Sequence, residues 1–123
     1  MPANSPQELH AIFVDAFNRA DLDALVALYE SAAVLVTGGK ITSGHAAIRQ
    51  PYQRILSNGG HMELETCHLL ESGDGLALLH AAWKIHRDGS AISGLSTEVA
   101  RRQPDGGWLF VFDEPRTPAV AGS

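Results

Sequence analysis

The sequence predicts an α+β fold, with N-terminal helices packed on a curved, mainly antiparallel sheet that encloses a pocket. Three observations carry this. Apolar residues recur at helical spacing from Leu9 to Tyr29 and again from Ala46 to Leu56. From His61 onward the period changes to two. Turn clusters at Ser72–Gly75, Arg87–Ser90 and Gln103–Gly107 then cut the second half of the chain into strands.

Taken in order, Met1 to Asn4 reads as a loose tail, and residues 1–5 as a flexible segment ahead of one domain over 6–115. Ser5, Pro6 and Glu8 form a helix start: a capping hydroxyl, a proline at the first helical position, and a capping-box acid. Leu9, Ile12, Phe13, Ala16 and Phe17 make one apolar stripe. Asp21 caps a second helix, whose stripe is Leu22, Leu25, Val26, Leu28 and Tyr29. Ala33 to Val36 is a short strand, followed by a turn at Thr37–Lys40. Ser43-Gly44 opens a third helix. Pro51 removes a backbone donor inside it, so a kink or break is expected near Gln50. Asn58-Gly59-Gly60 ends that helix. The strands expected next are Met62–Leu70, Leu76–His86 and the two arms of a hairpin between Gly94 and Pro115. Residues 116–123 read as a second flexible tail.

At 123 residues the chain is long enough for one real core. Its hydrophobic share of 45% and charged share of 19% are those of an ordinary globular domain. A formal net charge of −5 argues against nucleic-acid binding, which needs a basic face. Arg101-Arg102 is the only adjacent basic pair and reads as a solvated strand edge. Cys67 is the single cysteine, so no internal disulfide forms. No secretory signal and no membrane-spanning run is visible, and a cytoplasmic location is expected. Six histidines and one cysteine show no metal-ligand spacing. No metal and no cofactor is expected. The glycine pairs 38–39, 59–60 and 106–107 read as turns, not phosphate cradles.

The last hairpin carries the chemistry. If Gln103 faces Trp108 across the turn, Glu98 falls opposite Asp113, and two carboxylates share one sheet face. On the preceding strand Leu79, Ala81, Trp83 and Ile85 are apolar, while His80, Lys84 and His86 alternate with them. A tight Asp88-Gly89 turn continues the apolar face through Ser96, Glu98 and Ala100, then to Asp113, Val111 and Leu109. Glu98 and Asp113 would thus point into a mainly apolar interior near Trp83. Such burial is costly unless the groups are paired, and it is how an active site in a pocket looks. Asp113 and Glu98 are therefore the candidate catalytic residues. Trp83, Tyr29, Phe17, Tyr52 and Phe13 are the candidate pocket-lining residues. His80 would become a base only if the register slipped by one, and His45 is expected on the surface. The other sheet face would hold Trp108, Phe110 and Phe112. Three outward aromatics call for cover, and a homodimer through that face supplies it.

Several local motifs resemble the nuclear transport factor 2-like superfamily, in its ketosteroid isomerase and polyketide cyclase (SnoaL-like) branch. They are the helix junction Asn18–Tyr29, the helix start Gly44-His45-Ala46-Ala47-Ile48-Arg49, and the final hairpin from Asp105-Gly106-Gly107-Trp108 to Asp113-Glu114-Pro115. The resemblance spans roughly Pro6 to Pro115. It implies a cone-shaped, cystatin-like sheet round a cavity, closed by helices and dimerised through the sheet. It also implies isomerases, cyclases, hydrolases and members without a known reaction, so fold alone names no chemistry. Where steroid isomerases place their general-base Asp, this chain has Thr37, which argues against steroid isomerisation. The functional expectation is an acid–base enzyme acting on a small apolar organic ligand. The alternative is a non-catalytic ligand-binding or assembly module of the same fold.

Overall fold

The structure, a computed structural model, describes residues 3–116. Helix α1 is Pro6–Asn18, α2 is Leu22–Val26 and α3 is His45–Ser57. The strands are β1 Tyr29–Thr37, β2 Lys40–Ser43, β3 His61–Glu71, β4 Leu76–Arg87, β5 Ser90–Arg102 and β6 Trp108–Arg116. They form one six-stranded sheet in the order β2-β1-β6-β5-β4-β3. All neighbours are antiparallel except β1 and β6, which run parallel.

The helix ends follow their local chemistry. Ser5 caps α1 by accepting from the Glu8 amide, and Glu8 Oε1 accepts from the Asn4 amide at 2.8 Å. The carboxylate thus reaches one residue further back than a strict capping box. Asp21 caps α2 through the Ala24 amide. The α1 end is clamped to β3, because the Asn18 amide both donates to the Met62 carbonyl and accepts from the Met62 N–H. Arg87 reaches back to the Gly59 and Ile55 carbonyls at the end of α3, where unpaired carbonyls favour a cation.

Five expectations change. Tyr29 opens β1 instead of closing the second helix. Strand β2, only four residues and mostly exposed, fills the segment before α3. Pro51 does not break α3, which runs through it with the proline buried. The N-terminus is not wholly loose: Ala3 is fully buried and bridges to Trp108, whose amide donates to the Ala3 carbonyl at 2.9 Å. Arg116, expected in a C-terminal tail over 116–123, belongs to β6; the rest of that stretch, 117–123, lies outside the described residues.

Hairpin geometry decides what faces the interior. The β4–β5 turn is tight, with Arg87 paired to Ser90 and positive φ at Asp88 (46°) and Gly89 (81°). Leu79, Ala81 and Ile85 are buried on one face, as the alternation predicts. The β5–β6 turn is one residue longer than expected, pairing Arg102 with Trp108 and Ala100 with Phe110. A bulge at Val111 then shifts the register, so Val99 pairs with Phe112 and Glu98 with Asp113. The carboxylates meet as expected, by a different route. The same bulge turns Phe110 inward. Trp108 and Phe110 are therefore buried, at 5% and 1% exposure, and do not belong to the outer face. Phe112 alone of the three points outward, half exposed.

The helices cover the concave face. Leu9, Phe13 and Phe17 of α1, Ile48 and Tyr52 of α3, and Tyr29, Leu35, Leu79 and Phe110 of the sheet make one buried cluster. Gly94 sits where nothing larger fits. A Cβ there would lie 1.9 Å from the Arg116 carbonyl oxygen and 2.5 Å from Trp83. The missing side chain lets the end of β6 and the Trp83 indole close over β5.

Candidate active site

Between the helices and the sheet lies a cavity of about 550 Å³. Its walls are Phe13, Phe17, Ile55, Met62, Leu64, Ile85 and Phe110, with Trp83 near one end. Its polar lining is concentrated in His10, Tyr52, Ser96, Glu98 and Asp113. The rim is built from the β1–β2 turn (Val36–Gly39) and the end of β6 (Glu114–Arg116).

The register of the central strands lines up the polar groups. Leu79 of β4, Glu98 of β5, Asp113 of β6 and Leu35 of β1 form one row across the inner face. Glu98 and Asp113 are 4% and 6% exposed. Two carboxyl groups this close in an apolar setting do not both ionise. Burial, and next the Glu98 carboxylate beside it, push Asp113 well above the usual carboxylate range. The hydroxyls of Tyr29 and Tyr52 pull the other way without cancelling this. The raised Asp113 carboxyl is thus the member of the pair that favours holding a proton.

Each carboxyl is gripped from its outer side. The Tyr29 hydroxyl donates to Asp113 Oδ2 at 2.5 Å, and the Tyr52 hydroxyl lies 2.7 Å from that of Tyr29 and 3.4 Å from Asp113 Oδ2. Burial first, and then Asp113, raise both tyrosines well above their ordinary value, so they serve as neutral donors. On the other side, His10 Nε2 meets Glu98 Oε1 at 2.6 Å, and His10 Nδ1 meets Thr66 Oγ1 at 2.7 Å. A continuous chain therefore runs Tyr52, Tyr29, Asp113, Glu98, His10, Thr66. It joins α3, β1, β6, β5, α1 and β3.

Of the sequence candidates, Glu98, Asp113, Trp83, Phe17, Tyr52 and Phe13 line the cavity. Tyr29 does not; it is fully buried behind Asp113 and acts through it. His80 lies on the outer face, beside His68 and within 3.2 Å of the Thr97 hydroxyl. His45 is exposed, yet its Nε2 donates to the Tyr29 carbonyl at 2.7 Å and ties α3 to the start of β1.

His10 is the residue the sequence reading missed. It is 4% exposed and holds Glu98 across 88 positions of chain. One signal was present. Residues 10, 13 and 17 share a helix face, so His10 belongs to the stripe of Phe13 and Phe17.

The apolar walls and single polar floor suit a small organic molecule that buries a ring or chain and brings an oxygen to Asp113. Among the described residues, no group of three or more His, Cys, Asp and Glu side chains is placed to hold a metal ion. No helix among them is long and apolar enough to cross a membrane.

The geometry agrees with comparisons to known proteins. A solved protein of unknown function from Shewanella oneidensis MR-1, described as NTF-2 like, superposes with a TM-score of 0.79 at 20% identity, covering 89% of this chain and 93% of that one. A cystatin-like-fold domain of unknown function from Nostoc punctiforme superposes with a TM-score of 0.79 at 18% identity, covering 94% and 78%. A ketosteroid isomerase-like protein from Erwinia carotovora atroseptica superposes with a TM-score of 0.72 at 20% identity, covering 91% and 94%. At these identities the likeness establishes the fold, which is NTF2-like. No curated protein matches the chain. A family model for the SnoaL-like domain matches residues 11–113, from the first helix to Asp113 itself. The chain belongs to the SnoaL-like domain family.

Proposed function

We propose that the protein is an acid–base enzyme acting on a small, uncharged, mainly apolar molecule that carries an oxygen. The observation that carries this reading is the buried, side-by-side Glu98–Asp113 pair on the cavity floor. Asp113 gives its proton to the substrate oxygen, while Glu98 accepts one from an adjacent carbon. The substrate leaves as an isomer or, where the protonated oxygen departs as water, as an elimination product. Either way Glu98 ends protonated and Asp113 ionised. One transfer between the two carboxyls restores the starting state, so the turnover balances. An anionic substrate is disfavoured, because a base of this kind is a carboxylate in an apolar cavity.

The ketosteroid isomerase-like fold neighbour supports proton chemistry in such a cavity. Thr37 lies at the rim, where it has no carboxylate to offer, so the base role falls to the pair on the late strands. The test is Asp113→Asn and Glu98→Gln, assayed separately against a panel of ketones, hydroxyketones and epoxides. The expected result is a loss of turnover of about 10²–10⁴-fold in each variant. Unchanged turnover in both leaves a ligand-binding module, not an enzyme.

The proposal extends to assembly. A homodimer through the outer sheet face now rests on Phe112, with exposed Leu70 and Leu95, instead of on Trp108 and Phe110.

A further inference from the structure

We infer that His10, seated by Thr66, is a positioning residue that keeps the negative charge of the carboxyl pair on Glu98 and so fixes which carboxyl gives a proton and which takes one. This rests on the acid–base reading above.

The two carboxyls compete for a single charge. Asp113 receives the Tyr29 hydroxyl at 2.5 Å, and a hydrogen bond to a carboxylate favours its charged form. Unopposed, that contact would draw the charge to Asp113 and the proton to Glu98. His10 is the counterweight, at 2.6 Å from Glu98 Oε1. The groups facing the pair are few. His10 comes from α1, Tyr29 from β1 and Tyr52 from α3, whereas β4 contributes only Leu79 in that row. Among the described residues, no other nitrogen-bearing side chain is hydrogen-bonded to Glu98.

Thr66 makes the arrangement independent of the ring's own charge. With a neutral ring, Nδ1 accepts from the Thr66 hydroxyl and Nε2–H donates to Glu98. With a charged ring, both nitrogens donate and the hydroxyl turns to accept. In both states an N–H is aimed at Oε1. The ring cannot rotate away, because it is 4% exposed and packs against Phe110 at a centroid distance of 6.3 Å. Thr66 itself is aimed inward by its pairing with Ala81, just before the register shift between Thr66 and His68.

The test reads the charges directly, without a substrate. Carboxyl carbons of the isotopically labelled full chain are followed by NMR at neutral pH. In the native protein Glu98 is expected to show the shift of an ionised carboxyl, and Asp113 that of a protonated one. In His10→Leu the two are expected to move toward each other or exchange. His10→Gln, which keeps an N–H donor, is expected to restore the native pattern. Thr66→Val is expected to shift the pair part of the way, and Thr66→Ser to bring it back. This second pair of variants decides the matter if His10→Leu does not fold. Glu98 keeping its native shift in both His10→Leu and Thr66→Val overturns the positioning role and leaves the acid–base reading intact. A native protein with neither carboxyl protonated overturns both.

Discussion

The two faces of the β5–β6 hairpin reverse the usual arrangement of a sheet. On the inner face, Glu98 and Asp113 stand side by side under the helices, almost fully buried. One position along, on the outer face, Val99 pairs with Phe112, and Phe112 is half exposed. Charge is inside and apolar surface is outside. A chain selected for stability alone would hold the opposite pattern, since burying carboxyls costs energy and exposing aromatics gains none. The lesson is that both inversions mark work other than folding. The inner one is resolved within the chain by Tyr29, Tyr52 and His10. The outer one has no such internal answer among the described residues, and a second copy of the chain is the proposed cover.

The comparison can be broken or sharpened by experiment. The largest effect is expected in turnover, where Asp113→Asn or Glu98→Gln removes proton transfer without emptying the cavity. Equal activity in the variants would mean the inner inversion has no catalytic purpose. Next in size is the mouth of the inner face. Gly94→Ala forces a methyl against the Arg116 carbonyl and is expected to lower stability by about 1–3 kcal/mol, read by chemical denaturation. An unchanged midpoint would show that β6 yields freely there.

A third measurement isolates the cost of the buried acid. Its native value lies above the ordinary 3.8, so the unfolded chain releases this proton first as pH rises. Asp113 therefore takes away stability as pH climbs above about 4, up to its raised native value, and costs nothing further beyond it. Asp113→Asn removes the effect. The stability gap between variant and native protein is expected to widen across that window by up to about 1.4 kcal/mol per pH unit. A gap that does not change with pH would show an ordinary carboxyl. The smallest effect on folding belongs to the outer face: Phe112→Lys is expected to change unfolding energy by less than about 0.5 kcal/mol in a monomer. Its consequence is in assembly. Sizing with light scattering is expected to show a native dimer and a Phe112→Lys monomer, and a native monomer would remove the proposed cover.

Much of this was legible in the residues because it is local. Ser5 and Asp21 announce helix starts, and Asp88-Gly89 announces a two-residue turn. The alternation Leu79, Ala81, Trp83, Ile85 names its own face. What was not legible depends on contacts distant in sequence. A count of two cannot register the extra residue at Val111, so it puts Phe110 and Trp108 on the wrong face. Tyr29 fits a helical stripe, and only its parallel pairing with Phe110 makes it a strand residue. His10 has no local pattern of its own, because its partners Thr66 and Glu98 are 56 and 88 positions away.

The strand order has a consequence for how such a protein can change. Asp113 lies on β6, flanked by β5 on one edge and β1 on the other, and Glu98 lies on β5, itself between two strands. Their backbones are fixed on both sides. The cavity entrance is different material: a Gly38-Gly39 turn and the last residues of β6. Substitutions at the entrance can alter which molecules are admitted while the acidic floor stays in register. Ligand choice and proton handling are thus separable traits, and descendants of one ancestor can diverge in the first without rebuilding the second.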